Sequence, residues 1–279
     1  MLGIIANLEP LVHRRAIYEN KNERIADITI SLDDVIKTCR CPAPLMAEIR
    51  GKAQFAAAQT AGRLAAGPVH VMSQHQFRTK SGHLQADTVA AILRLKEILN
   101  SAPPRTLQFT GEVRPILVFT DGACEGIGRL DVTIGAVIYD TANNKSEMWG
   151  GNVCSELVTI WRNEGKTQVI GQAELLPTAM ARCSNMERFR HRRIIFFVDN
   201  DSARQALIKG WSPSRSSTKT IQLMVDAEVS GQTWTWYSRV PTKSNPADDP
   251  SRLVFNSGPD NKYAKVVPMP NIPAELYHH

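Results

Sequence analysis

Four acidic residues stand in apolar or tight-turn contexts in the second half of the chain. They are Asp121 in LVFTDGAC, Glu174 in GQAELLPTAM, Asp199 in IIFFVDND and Asp248 in SNPADDPSR. Asp121 and Asp199 each follow a run that reads as a buried strand, and Glu174 opens an apolar helix. A buried carboxylate is costly unless something positive is held beside it. The intervals of 53, 25 and 49 residues are too wide for a local loop, so only a fold could gather the four. Gathered, they would suit divalent cations and chemistry at a phosphodiester. Each acid alone has a plainer explanation. Asp-Gly is a turn dipeptide, Glu174 suits the first turn of a helix, and Asp199 could cap the next one. Their order and shared context favour the metal site.

The elements that must position them follow from the hydrophobic pattern. PILVFTDGA reads as a strand running into a turn, VTIGAVIYD and KSEMWGGNV as two more, RRIIFFVDN as a fourth and TWTWYSRV as a fifth. Helices are expected over about 172–184, 202–209 and 218–229. Three antiparallel strands, then alternating helices and strands, predict a mixed five-stranded α/β sheet with helices on both faces, over residues 112–253.

Before the double proline at 103–104 the grammar is helical. Apolar residues Ile25, Ile28, Leu32, Val35 and Ile36 recur at helical spacing. An alanine-rich run over 45–67 ends at Gly67-Pro68, and a third helix is expected over about 84–99. Residues 1–104 therefore read as a small all-helical region. The tail over 254–279, with Pro259, Pro268, Pro270 and Pro273, reads as poorly ordered.

Composition narrows the classes. Charged residues make up 22% and hydrophobic ones 43%, ordinary for a globular protein. No apolar run reaches the ~18 residues of a membrane span, and no signal peptide is read at the amino terminus. Five irregularly spaced cysteines give no disulfide framework. The expected location is intracellular, with cytoplasm and nucleus both open. Net charge is +6, and residues 1–110 hold 14 Lys/Arg against 9 Asp/Glu. The run Arg188, Arg190, His191, Arg192 and Arg193 offers a polyanion a positive face, though a merely solvated face fits it equally well. Cys39, Cys41, His70, His75 and His83 lack zinc-ligand spacing.

The order of strands and acids resembles the ribonuclease H family. TDGA at Asp121, AELL at Glu174, VDN at Asp199 and NPADDPSR at Asp248 fall where that family carries its carboxylates. NPADDPSR is especially similar to the ribonuclease H ends of retroelement reverse transcriptases. EIRGKAQFAAAQTAGRLAAG resembles their thumb, and LGIIANLEP with NERIADI the segment before it. No Tyr-x-Asp-Asp occurs, so polymerase activity is not expected.

The resemblance implies a nuclease that cuts the RNA strand of RNA–DNA hybrids with two Mg²⁺ ions, which Mn²⁺ can replace. Asp121 would bridge both ions, and Glu174 and Asp199 would hold one and position the attacking water. Asp248 would hold the other. Asp248 aligns on the trailing Ser-Arg, whereas counting four residues from Asn245 selects Asp249; Asp248 is preferred. Gly122, Ala123, Gln172, Asn200, Arg239 and Lys243 are the implied contacts to nucleic acid, with the rest of a retroelement polyprotein as a further partner. Trp211, Trp234 and Trp236 could stack on sugars, but strand tryptophans more often serve a core. Asn200-Asp201-Ser202 also fits a glycosylation sequon, inside the expected site. The competing functions are a catalytically inactive nucleic-acid-binding remnant and another nuclease or transposase-like enzyme of the same fold.

Overall fold

A computed structural model describes residues 4–60, 62–78, 81–108, 114–126, 130–164, 168–255 and 264–277. The chain divides into two units, Met1–Gly111 and Glu112–His279. The first opens with an antiparallel pair, β1 (Ile4–Asn7) and β2 (Arg15–Asn20). Four helices follow: α1 (Asn22–Thr38), α2 (Ala43–Thr60), α3 (Ala66–Arg78) and α4 (Ala86–Ser101). Strand β3 (Arg105–Gln108) then returns antiparallel to β2. Helix α1 buries Ile28, Leu32 and Val35, the helical-period positions, and the same unit buries Met46, Met72, Ile92 and Leu95 completely.

Two expectations change here. Gly67-Pro68 does not end the second helix, because α2 stops at Thr60 and the pair sits in the first turn of α3. Proline is at home there, since the N–H it lacks would have no helical partner. The helical region also carries a three-stranded sheet in the order β1-β2-β3. Its last strand lies beyond Pro103-Pro104, so the boundary falls at residue 111, not 104.

The second unit begins with an antiparallel meander of β4 (Ile116–Glu125), β5 (Asp131–Asp140) and β6 (Lys145–Asn152). Helices α5 (Ser155–Arg162), α6 (Ile170–Ser184) and α7 (Met186–Phe189) lead to β7 (Arg193–Val198), which pairs parallel with β4. After α8 (Asp201–Lys209) and α9 (Arg215–Ser230), β8 (Trp234–Arg239) joins parallel to β7. A short α10 (Asp248–Ser251) and a two-residue β9 (Lys265–Val266), parallel to β6, complete the unit. The sheet order is β8-β7-β4-β5-β6-β9.

This is the expected mixed α/β sheet, with a sixth short strand at one edge. β4 is central and apolar on both faces because both are covered. Gly122 faces α6, whereas the adjacent Asp121 faces α10. Part of the tail expected to be poorly ordered is folded: β9 pairs with β6, Met269 lies over Gly151, and Leu276 is buried. Residues 256–263 of that tail lie outside the described residues. Among the described residues, no helix is long and apolar enough to cross a membrane.

Candidate metal centre

β7 pairs with β4 only as far as Val198 opposite Thr120. Asp121 and Asp199 are the next residues along the chain, just past the last paired position. Glu174 approaches them from the second turn of α6. One carboxylate oxygen from each of Asp121, Glu174 and Asp199 lies within 4.8 Å of the others. Asp121 and Glu174 are buried and Asp199 is half-buried.

Close backbone packing makes this possible. A Cβ on Gly122 would fall 2.5 Å from the carbonyl carbon and oxygen of Ala173, so glycine lets α6 lie directly on β4. The Gly122 N–H and the Asn200 side chain both donate to Glu174. Asn200 also caps α8, its Oδ1 accepting from the Ala203 N–H at 3.0 Å.

Electrostatics describe a site built for positive charge. Burial, then the charges of Asp121 and Asp199, push the Glu174 carboxyl up to about 9 against the bonds from Asn200 and Gly122. Asp121 is pushed up to about 6, mainly by burial. The Ser251 hydroxyl and the Arg252 charge oppose that rise, and Asp199 and Asp248 add to it. Glu174 Oε2 and Asp199 Oδ1 are buried without a hydrogen-bond partner. Crowded, orphaned carboxylate oxygens are the donor set that a hard divalent cation requires. The residues therefore fit a hard divalent cation of the Mg²⁺ kind.

Asp248 is not within this group of three. Its Oδ1 accepts from Nε and Nη2 of Arg252, both at 3.2 Å, and Arg252 also pairs with Glu125 at 3.3 Å. The charge of Asp248 acts on Asp121.

The other expected contacts divide by exposure. Arg239 ends β8 opposite Val198, and Lys243 lies in the turn Thr242–Ser244; both are exposed. Gly122, Ala123 and Gln172 are buried, and Gln172 Nε2 donates to Ser214 Oγ at 3.3 Å. A groove of ≈ 760 Å³, lined in part by Gln168, Gln172, Lys209, Trp211 and Ser214, opens beside it. Much of the basic run is used internally. Arg192 pairs with Asp140 at 2.9 Å, Arg188 with Glu147 at 2.8 Å and Arg190 with Glu187 at 2.7 Å. Among the described residues, the cysteines and histidines of the first unit form no metal group. His75 instead contacts the Cys41 carbonyl at 3.1 Å.

Sequence reasoning did not single out Ser251, Gly135 or Gly150. Ser251 is fully buried with Oγ 2.5 Å from Asp121 Oδ2. The glycines face one another across β5 and β6 and give α10 its room on the sheet. The trailing Ser-Arg hinted at Ser251, but nothing local could reveal the glycine pair.

No family model matches the chain, and no curated protein does. The solved structures similar to half of it include two ribonuclease H domains. One is an RNase H1 from the halophilic archaeon Halobacterium salinarum, with 14% identity and a TM-score of 0.37, covering 50% of this chain and 100% of that one. The other is the N-terminal RNase H domain of a Mycobacterium tuberculosis protein fused to maltose-binding protein, with 12% identity and a TM-score of 0.33, covering 50% and 94%.

Proposed function

We propose that the second unit is a metal-dependent nuclease that hydrolyses the RNA strand of RNA–DNA hybrids. We further propose that the chain corresponds to the thumb-like region and ribonuclease H domain of a retroelement reverse transcriptase. The observation that carries the nuclease reading is the meeting of Asp121, Glu174 and Asp199, from three distant segments, with two buried oxygens left unpartnered. The retroelement reading is supported by the NPADDPSR string and the thumb-like stretch.

Asp121, Glu174 and Asp199 would hold Mg²⁺, with Asp248 as the outer ligand. A bound pair of ions supplies charge neutralisation at the scissile phosphate and a water of lowered pKa. The chain's own groups do the positioning. Asn200 and Gly122 fix Glu174 by hydrogen bonds, and the parallel strands hold Asp121 and Asp199 on a rigid platform. Arg239 and Lys243, exposed near the acids in sequence and strand register, would meet the polyanion backbone. Hybrids are recognised by shape and 2′-hydroxyls, so no base preference is expected.

The test is cleavage of a labelled RNA–DNA hybrid in Mg²⁺ by the full chain and by Asp121→Asn. The expected result is RNA-strand cleavage by the wild type and a loss of about 10³-fold or more in the variant, on the scale of removing a principal catalytic group. Cutting of double-stranded DNA but not of hybrid would overturn the substrate assignment. Hybrid bound but left intact would identify an inactive remnant.

A further inference from the structure

Ser251 holds one hydroxyl proton between two acceptors. Its Oγ lies 2.5 Å from Asp121 Oδ2 and 2.8 Å from the Asp248 carbonyl oxygen. The residue is fully buried, so solvent does not compete for the proton. An ionised carboxylate is the stronger acceptor of the two. The hydroxyl therefore belongs to Asp121 whenever that acid is charged.

The approach that brings it there is built into the sheet. Asp121 pairs in register with Gly135, and Gly135 with Gly150, so the three form one row across β4, β5 and β6. Helix α10 lies on that row. A Cβ on Gly135 would fall 2.3 Å from the Ser251 nitrogen, and one on Gly150 would fall 1.9 Å from the Pro250 carbonyl oxygen. Both obstacles are backbone, which cannot rotate away. Two further bonds pin the turn: Asn245 Nδ2 to the Thr120 carbonyl at 3.1 Å, and the Ala247 N–H to Asn245 Oδ1 at 3.2 Å.

We propose that Ser251 is a positioning residue for the cation site: its hydroxyl holds one Asp121 oxygen, so the carboxylate meets Glu174 and Asp199 in a single orientation. This rests on reading the three acids as a metal site. Outer hydrogen bonds of this kind orient ligands, and their loss typically costs about 10–100-fold in metal affinity or activity.

The experiment is calorimetric titration of the full chain with Mg²⁺ in the absence of nucleic acid, for wild type, Ser251→Ala, Asp121→Asn and the double variant. Thermal denaturation runs in parallel. Ser251→Ala is expected to weaken Mg²⁺ binding about tenfold with the fold retained. In the Asp121→Asn background the same change should have little further effect, because the hydroxyl acts through that carboxylate. Should the alanine void unfold the chain, Ser251→Cys keeps the shape but offers a weak donor, and it should weaken Mg²⁺ binding likewise. A folded Ser251→Ala or Ser251→Cys protein that binds Mg²⁺ as the wild type does would overturn the proposal. So would equal losses in both backgrounds. Weakened Mg²⁺ binding in a chain that cuts no hybrid would leave Ser251 its role and remove the substrate assignment. Hybrid cleavage with unaltered Mg²⁺ dependence in Ser251→Ala would do the reverse.

Discussion

Asn245 donates from Nδ2 to the carbonyl oxygen of Thr120, 3.1 Å away in a buried contact, one residue before Asp121. The same side chain accepts from the Ala247 N–H. It thus ties the carboxyl-terminal turn to β4 beside the candidate metal centre. Asn245→Ala would leave a buried carbonyl and a buried N–H without partners, at a cost of about 1–3 kcal/mol. The expected drop in melting temperature is roughly 2–4 °C per kcal/mol for a chain of this size. An Asn245→Ala protein melting with the wild type would show that the turn is held by packing alone.

At the opposite end of β5, Asp140 accepts from Arg192 at 2.9 Å and from Asn143 at 2.8 Å, with Arg188 at 3.6 Å. Burial pushes its carboxyl up, but the bonds from Arg192, Asn143 and Ala142 and the Arg192 charge outweigh that and hold it below the ordinary value. A carboxyl lowered in the folded state contributes stability that is full above its unfolded pKa of about 3.9 and lost as pH falls through the folded value. Asp140→Asn should therefore cost about 3 kcal/mol near pH 7 by leaving the half-buried Arg192 without its carboxylate, while Arg188 keeps Glu147. The penalty should shrink toward pH 3. Urea midpoints at both pH values check this, and a pH-independent difference would count against it.

The acid-bearing strands and α6 were legible because their signals are local: apolar runs and an apolar helix. The Asp-Gly expected to turn instead stays within β4, paired with Gly135 and Ile134. What was not legible depends on register or on distant partners. Gly135 and Gly150 matter because they stand in a row with Asp121, which no local pattern encodes. Asn200 caps α8 and donates to Glu174, partners that only the fold brings beside it. Arg188 and Arg192 looked like surface charge until Glu147 and Asp140 were placed beside them. Helix α3 was missed because Gly67-Pro68 reads as a stop when the next element is unknown.

Glu174 tests the cation site through stability alone. Without an ion, its buried Oε2 has no hydrogen-bond partner. A carboxyl whose pKa is raised on folding destabilises the native state increasingly as pH rises from its unfolded value of about 4.3 toward the folded one, here about 9. At pH 8 most of that cost is present. Glu174→Gln should raise the melting temperature of the ion-free protein by a few degrees, on the order of 1 kcal/mol. Adding Mg²⁺ should raise the wild-type value by mass action and the variant's far less. Equal Mg²⁺ responses in the two proteins would remove Glu174 from the ligand set.

Helix α6, which carries Glu174, is anchored by a buried guanidinium at its carboxyl-terminal end. Arg182 is fully buried and donates Nη1 to Thr233 Oγ1 at 2.8 Å and Nη2 to Thr235, while its guanidinium lies 5.5 Å from the Phe189 ring centroid and 5.6 Å from that of Phe196. Hydroxyl acceptors and two aromatic faces share the burden of desolvating the charge. Arg182→Ala would remove the bonds and open a cavity, costing about 3–5 kcal/mol. Arg182→Met would keep the volume and the ring contacts while leaving the two threonines to find other partners, so its cost should be about 1–2 kcal/mol. Urea unfolding of both variants checks the ordering. A methionine variant as unstable as the alanine variant would mean that the hydrogen bonds, not the packing, fix α6 against β8.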